Sequence, residues 1–162
     1  MPASPDDLFR RLDELGIAVE TMEHQPLFTV ADGVALHHRL PGGHSKNLYM
    51  RDKKKRNWLV VTLADKDIDL KRLPEVIGAS RLSFGSAERL MEFLGVEPGS
   101  VTPFALINDP EQRVEVVLDA ALLEQQPLNF HPLVNTMTSA ISADDLLRFI
   151  AACGHQAQVL RL

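Results

Sequence analysis

The chain has 162 residues, of which 45% are hydrophobic and 24% charged, so it can form one globular domain without disulfides or a structural metal. Its single cysteine, Cys153, excludes an intrachain disulfide framework, and no apolar run approaches the roughly 18 residues of a membrane span. The formal net charge of −5 argues against a general nucleic-acid coat protein, which needs many phosphate contacts. We therefore expect a cytoplasmic, single-domain protein.

The first predicted elements are a helix and a strand. In SPDDLFRRLDELG, Ser4 can cap a helix, Pro5 suits its first turn and Gly16 ends it. IAVETMEH then alternates like a strand, and VADGVAL predicts a short helical turn. The glycine-containing loop LPGGHSKN follows, and Lys46 and Asn47 lie where it becomes a strand, a common place for residues that meet a ligand.

A basic run lies between two predicted strands. NLYMRD and NWLVVTLA predict a hairpin around the segment RDKKKRN. The basic residues of this run are Arg51, Lys53, Lys54, Lys55 and Arg56. Two interpretations stay open here: a solvated turn between strands, or a patch that holds an RNA backbone.

The second half of the chain mixes short helices and strands. LKRLPEVIG and SAERLMEFLG predict helices, whereas FALIND and RVEVVLD predict a second hairpin around the turn PEQ. LNFHPLVNTMTSAI resembles a strand interrupted by Pro132, SADDLLRFIAACG predicts a helix capped by Ser142, and HQAQVLRL predicts a final strand. Because the elements lack a regular βαβ period, we expect an α+β fold, one domain over residues 1–162, with a mixed β-sheet and surrounding helices.

Several common kinds of active site are not favoured by the sequence. The six histidines do not combine with cysteine or acidic residues at the spacing of a zinc site. A GxSxG nucleophile elbow is missing, and GGHSKN lacks the glycine that a phosphate loop places directly before its lysine. Cys153 lies in a helix tail beside no obvious base. We therefore expect neither a metal site nor one of the usual nucleophiles.

Two further stretches permit hydrolytic chemistry. GSVTP, residues 99–103, is a loop that begins with glycine and ends with proline. The backbone N–H groups of Ser100, Val101 and Thr102 could point one way and bind an oxyanion, although an ordinary turn would have the same sequence. In NFHPLVNTMT, His131 has polar neighbours and can be either a structural or a functional histidine.

Taken together, LPGGHSKNLYMRDKKKRNWLVV, GVEPGSVTPFALIND and FHPLVNTMT closely resemble the freestanding prolyl-tRNA editing domains of the YbaK/aminoacyl-tRNA synthetase-associated family. The resemblance runs nearly end to end and is closest to the branch that removes alanine from proline tRNA. In that family the lysine of the KN pair is associated with activity, which implies a catalytic role for Lys46. The family's GXXXP loop corresponds to Gly99, Ser100, Val101, Thr102 and Pro103.

Further roles follow from the same resemblance. Substrate-binding residues are expected at Gly43, His44, Ser45, Asn47 and His131, and the basic run from Arg51 to Arg56 is expected to contact the acceptor stem. The main-chain amides of the GSVTP loop would hold the ester carbonyl with Lys46 across from them, and Leu36 and Val134 are candidate pocket walls.

The implied enzyme is a metal-independent deacylase of alanyl-tRNA(Pro) that uses no cofactor. Its expected partner is the acceptor end of tRNA(Pro) carrying alanine, with prolyl-tRNA synthetase and an elongation factor as further candidates and no membrane. A deacylase for cysteine or another small amino acid, and a non-catalytic tRNA- or synthetase-binding module, remain alternatives.

Overall fold

The computed structural model describes residues 1–26 and 30–162. The α-helices in this part are α1 (Pro5–Glu14), α2 (Val30–Arg39), α3 (Leu73–Ile77), α4 (Ala87–Leu94), α5 (Ala120–Leu123) and α6 (Ala143–Ala152). The strands are β1 (Glu20–Glu23), β2 (Gly43–Asp52), β3 (Asn57–Leu63), β4 (Leu82–Phe84), β5 (Val114–Asp119), β6 (Leu128–Phe130), β7 (Met137–Ile141) and β8 (Gln158–Leu160). A 3₁₀ helix spans Pro103–Asn108.

The strands form one mixed sheet in the order β1-β7-β6-β2-β3-β5-β8, with β4 paired to β2. Neighbours β2 and β3 are antiparallel and make the predicted hairpin, whereas β3, β5 and β8 run parallel. The two halves of the sheet meet where β2 runs parallel to β6, with Gly43 opposite Leu128 and His44 opposite Asn129. The predicted mixed-sheet α+β fold is therefore confirmed.

The two faces of the sheet are covered by different hydrophobic clusters. Since side chains alternate along a strand, Tyr49 and Val61 lie in the main core with α1, α4 and α6. Met50 and Val60 point the other way and pack with α3. This alternation decides which side chains of β2 can share a pocket.

The capped helices follow the sequence signals closely. Ser4 accepts a hydrogen bond from Asp7 N while the Asp7 side chain accepts one from Ser4 N, which is a complete capping box. Ser86 and Ser142 cap α4 and α6 in the same way through their hydroxyls. In the described residues, no helix is long and apolar enough to cross a bilayer.

Several predictions about local structure are wrong. FALIND forms the 3₁₀ helix and not a strand, because Pro103 stands in its first turn and the Thr102 hydroxyl caps it by accepting from Phe104 N. The second hairpin therefore does not form, and β5 pairs instead with β3 and β8. The segment from Gly43 to Asn47 belongs to β2 rather than to a loop, and α2 is longer than the predicted turn.

Candidate functional site

A small pocket lies where β2, β6 and β7 come together beneath α2. Its volume is about 50 Å³. Ser45 and Asn47 come from β2, and Leu36 comes from α2. The remaining lining residues are His44, Asn129, Phe130, His131 and Thr138. Of the residues predicted to bind substrate, the structure therefore brings His44, Ser45, Asn47 and His131 together.

The polar side chains of β2 and β6 form a hydrogen-bonded chain at the pocket wall. Ser45 Oγ donates to Asn129 O at 3.1 Å, and Asn47 Nδ2 donates to Ser45 Oγ at 3.0 Å. Since a carbonyl oxygen can only accept, the serine hydrogen is used there and the asparagine must turn its NH₂ toward the serine. Asn47 Oδ1 is thereby left as a buried acceptor, and it has no partner among the described residues.

Asn129 holds the two halves of the sheet together at the pocket. Its Nδ2 donates to Pro41 O at 3.0 Å and to Gly43 O at 3.1 Å. The residue is 5% exposed. Gly43 does not line the pocket itself but supplies one of these carbonyls, so its predicted substrate contact is replaced by a structural one.

His131 follows β6 and has a defined tautomer. Its Nδ1 lies 2.9 Å from Met137 O, so Nδ1 carries the hydrogen and Nε2 has the free lone pair. Burial lowers the pKa of His131 from its ordinary value of 6.5, although the bond to Met137 acts in the opposite direction. The imidazole is therefore neutral at neutral pH, and Nε2 can accept a hydrogen bond.

His24 and Thr138 form a second polar pair beside the pocket. His24 Nδ1 lies 2.8 Å from Gln25 O, and its Nε2 lies 2.8 Å from Thr138 Oγ1. In neutral His24, Nδ1–H donates to the carbonyl, so Nε2 accepts the hydrogen of the threonine hydroxyl. The rings of His24 and His131 are 6.0 Å apart between centroids.

Lys46 does not line this pocket. It lies between Ser45 and Asn47 on β2, so its side chain leaves the opposite face of the strand. Its ammonium donates to Lys66 O, on the side where Thr62 and Lys66 both bind the Asp119 carboxylate. The sequence predicts that Lys46 lies across from the GSVTP loop. In the structure its side chain leaves the other face of β2, because side chains alternate along a strand.

The GSVTP loop leads into the 3₁₀ helix on the main-core side of the sheet. Ser100 N donates to Glu97 O at 3.0 Å, so one of the three expected oxyanion donors is already used. The N–H groups of Val101 and Thr102 have no acceptor among the described residues. Residues 99–103 are not among those that line the pocket, but Phe104 packs edge-on against Phe130, which does.

The basic run is the tip of the β2–β3 hairpin, where Lys53, Lys54 and Lys55 are exposed. Arg56 instead pairs with the buried Asp52 at 3.2 Å and lies over the Trp58 ring at 5.0 Å, which makes it part of the scaffold. Arg51 lies at the end of β2 and is half-buried. The predicted hairpin around the basic run is present, and its exposed tip fits a solvated turn as well as a patch that holds an RNA backbone.

Sequence reasoning missed part of the pocket. Asn129 was noted only as a polar neighbour of His131, and Thr138 was not singled out at all. Leu36 lines the pocket as expected, whereas Val134 does not. A buried asparagine within the apolar strand LNF was the available signal for Asn129. No group of three or more His, Cys, Asp or Glu side chains in residues 1–26 and 30–162 is placed to hold a metal ion.

Comparisons with known proteins identify similar chains. The model of the aminoacyl-tRNA editing domain matches residues 24–149. The prolyl-tRNA editing protein ProX of Acetoanaerobium sticklandii is 37% identical over 153 residues, covering 94% of this chain and 93% of its own. The prolyl-tRNA synthetase associated domain-containing protein 1 of Mus musculus is 38% identical over 159 residues, covering 95% and 94%.

The fold also matches a solved structure. A protein proposed to be a trans-editing enzyme for prolyl-tRNA synthetase superimposes with a TM-score of 0.72 and 18% identity, over 100% of this chain and 99% of the other. At 18% identity this match supports the fold alone. Any comparison of function rests on the two sequence relatives.

Proposed function

Because the chain belongs to the family of aminoacyl-tRNA editing domains, we propose that it hydrolyses the ester of proline tRNA charged with the wrong amino acid, alanine above all. The observation that carries the proposal is the small polar pocket between β2 and β6, built from residues of the motifs that resemble the family. The pocket is large enough for a few water-sized groups, since a cavity needs roughly 10–15 Å³ to hold one water molecule.

Alanine is the preferred side chain on grounds of size. Walls that include Leu36 and Phe130 suit a methyl group, and we infer that the larger proline ring clashes with them. A synthetase that selects proline can reject the smaller alanine by only about 1–3 kcal/mol per missing methylene. A second, smaller site that excludes proline by a clash corrects this error.

The reaction needs a water molecule and stabilisation of one oxyanion. The water oxygen attacks the ester carbonyl carbon, the bond to the ribose oxygen breaks, and that oxygen leaves as a hydroxyl after taking up a proton. We assign the oxyanion to the N–H group of Val101, which has no acceptor among the described residues and is not fully buried as Thr102 is; one such donor contributes roughly 3–4 kcal/mol in other enzymes. Since no strong base is evident in the pocket, the neighbouring ribose hydroxyl assists the water.

Lys46 is proposed to bind the terminal phosphate of the substrate, because its side chain leaves the face of β2 opposite to the pocket. In the free protein its ammonium is bonded to Lys66 O, so this role requires the flexible side chain to exchange one acceptor for another. Lys46→Ala should abolish deacylation while leaving the melting temperature close to that of the wild type. Turnover near that of the wild type would refute the assigned role.

The exposed lysines of the hairpin are proposed to contact the acceptor stem. Asp52 lies five residues further along β2 than Asn47, which corresponds to about 17 Å at ~3.3 Å per residue. A tRNA whose terminal ester enters the pocket can therefore reach Lys53, Lys54 and Lys55. Replacing these lysines with glutamate should weaken tRNA binding and reduce its salt dependence without changing the melting temperature. If the affinity for tRNA is unchanged in these variants, the hairpin is a solvated turn that does not contact the acceptor stem.

A panel of charged tRNAs tests the proposed function directly. Proline tRNA carrying alanine, cysteine, serine or proline is incubated with the protein, and release of the amino acid is followed over time. We expect alanine to be released fastest and proline to be spared. If cysteine is released fastest, the substrate is cysteinyl-tRNA and not alanyl-tRNA. If no amino acid is released from any tRNA, the protein is a non-catalytic binding module. A protein that acts on charged tRNA is expected in the cytoplasm, and prolyl-tRNA synthetase is the partner to test first.

A further inference from the structure

Phe84, on the short strand β4, presents an aromatic ring to solvent. It is 61% exposed, and it is the only aromatic residue among the exposed large hydrophobic side chains of residues 1–26 and 30–162. A single exposed apolar side chain is common on protein surfaces and indicates no ligand by itself. The place of Phe84 in the sheet and the charges around it are what indicate a ligand.

Backbone contacts hold Phe84 in place. β4 pairs with β2, with Phe84 opposite Met50. The next residue, Gly85, donates from its N–H to Tyr49 O at 3.0 Å, and an added Cβ there would lie 2.1 Å from the Tyr49 ring. The chain therefore passes directly against Tyr49 at this point, which fixes the position of β4. Since opposite residues of paired strands share a face of the sheet, the Phe84 side chain lies on the face that carries Met50 and α3.

Lys46 lies on the same face of the sheet as Phe84. It stands four residues before Met50 on β2, and side chains two residues apart along a strand share a face. The distance along the strand is about 13 Å at ~3.3 Å per residue. Because Lys46 is proposed to bind the terminal phosphate of the tRNA, a few nucleotides of an extended strand would reach from there to Phe84.

One edge of β2 is unpaired between the pocket and Phe84. β6 pairs only with the first two residues of β2, and β4 only with the last three. In the part of the chain that the structure describes, no strand occupies this edge over residues 45–49. Ser45 and Asn47, which line the pocket, belong to this stretch of β2. The pocket and Phe84 therefore lie at opposite ends of one unpaired edge.

The strands around Phe84 carry an excess of positive charge, although the whole chain has a formal net charge of −5. In β2, β3, their turn and β4, the only acidic residue is Asp52, which is buried and paired with Arg56. Arg81 directly precedes β4, and its carbonyl accepts from Lys53 N at 3.0 Å, which joins β4 to the basic hairpin. The basic residues of the three strands and the turn are Lys46, Arg51, Lys53, Lys54, Lys55 and Arg56.

An exposed aromatic ring beside clustered cations suits a nucleobase attached to a phosphate backbone. We propose that Phe84 is a stacking platform for an unpaired base at the 3′ end of the tRNA, while Lys46 and the basic hairpin hold phosphates on either side of it. The choice of tRNA as the nucleic acid rests on the proposed function. Stacking accepts any base, because every base has a π-face. Phe84 therefore contributes affinity for the single-stranded end, whereas the pocket selects the amino acid.

Binding of uncharged tRNA(Pro) tests the platform without requiring hydrolysis. Affinity is measured for the intact tRNA and for a tRNA that lacks its unpaired 3′ nucleotides. The wild-type protein should bind the intact tRNA at least about tenfold more tightly than the truncated one. In Phe84→Ala the affinity for intact tRNA should fall by about tenfold, whereas the truncated tRNA should bind as it does to the wild type. Equal affinity of the wild type for the two tRNAs would overturn the platform.

Two further variants separate stacking from apolar contact. Phe84→Leu keeps an apolar side chain without a π-face, so it should bind intact tRNA as weakly as Phe84→Ala. Phe84→Trp should bind at least as tightly as the wild type. The matched control is Val159→Ala, because Val159 is 45% exposed on β8, which is a three-residue strand like β4 but lies at the far edge of the sheet. Its affinity should equal that of the wild type, and all four variants should keep the wild-type melting temperature.

The outcomes separate this inference from the proposed function. In deacylation of alanyl-tRNA(Pro), Phe84→Ala should raise KM by about tenfold and leave kcat unchanged. If alanyl-tRNA(Pro) is hydrolysed but Phe84→Ala or Phe84→Leu binds intact tRNA like the wild type, the stacking platform is overturned and the deacylase remains. If charged tRNA is not hydrolysed but the expected affinities are found, the platform remains and the deacylase is refuted.

Discussion

Replacing Asp52 with asparagine tests how the basic hairpin is held in place. The Asp52 side chain is fully buried. Its Oδ1 accepts from the backbone N–H groups of Lys54 and Arg56, and its Oδ2 accepts from Arg56 Nε, Trp58 Nε1 and Ser80 N. In Asp52→Asn, one of these oxygens becomes an NH₂ that faces two or three other donors, and Arg56 loses its counter-charge.

The expected loss of stability is about 3–5 kcal/mol, because two or three hydrogen bonds to a charged group, worth roughly 1.5–3 kcal/mol each, are lost, whereas the half-exposed Arg56 remains solvated. For a chain of this size, 1 kcal/mol corresponds to about 2–4 °C, so the melting temperature should fall by about 6–20 °C. The matched control is Glu124→Gln, which removes an exposed partner of Arg161 and should leave the melting temperature unchanged. A fall of less than about 2 °C in Asp52→Asn would refute this reasoning.

The pH dependence of the same variant gives an independent check. Burial raises the pKa of Asp52, but the hydrogen bonds from Arg56, Trp58 and Ser80 outweigh it and lower the pKa below its ordinary value of 3.8. Because the pKa of Asp52 is lower in the folded state, its carboxylate stabilises the protein fully at pH values above the ordinary pKa of 3.8. This stabilisation is lost as the pH falls through the folded-state pKa. The stability difference between wild type and Asp52→Asn should therefore be constant near neutrality and shrink below about pH 3.8. A difference that is the same at pH 7 and pH 3 would contradict the assignment.

Two further changes test other parts of the fold. Gly42→Ala should destabilise the protein by at least about 2 kcal/mol in a denaturant titration, since Gly42 has φ +98° and an added Cβ would lie 2.2 Å from Pro127 O. The control is Gly33→Ala, in a helix with open space around the residue, which should be neutral or stabilising. Cys153 should react slowly with a disulfide reagent at pH 8, because burial raises the pKa of its thiol to about 11. Equal reaction rates in native and denatured protein would contradict this.

The parts of the fold that the sequence predicted are those with local signals. Ser4, Ser86 and Ser142 begin helices because their hydroxyls satisfy N–H groups only two or three residues away. The β2–β3 hairpin was predictable for the same reason, since its strands are adjacent in the chain and its turn carries charged residues.

FALIND shows where a local pattern fails. An apolar run of this length is ambiguous between strand and helix, and the proline and threonine before it decided the outcome. The same two residues belong to the expected anion-binding loop, and in the structure they begin the helix.

The pocket could be predicted only in part. Its β2 residues belong to a recognisable motif, but Asn129 joins them through a contact with Ser45, 84 residues away, and Thr138 follows because β7 pairs with β6. Such register depends on the whole sheet and not on nearby residues. Because HSKN is part of a strand, the two-residue alternation of side chains is sufficient to put Lys46 and Asn47 on opposite faces of β2.

The short parallel join between β2 and β6 has a consequence for how activity is acquired. Only Gly43 and His44 pair with Leu128 and Asn129 there, and the pocket straddles the join. Long-range contacts of this kind form late in folding, because the loop between them must first close. We therefore expect the pocket to stay incomplete until β6 and β7 have docked. A bound substrate should then slow amide hydrogen exchange at this seam more than elsewhere in the sheet.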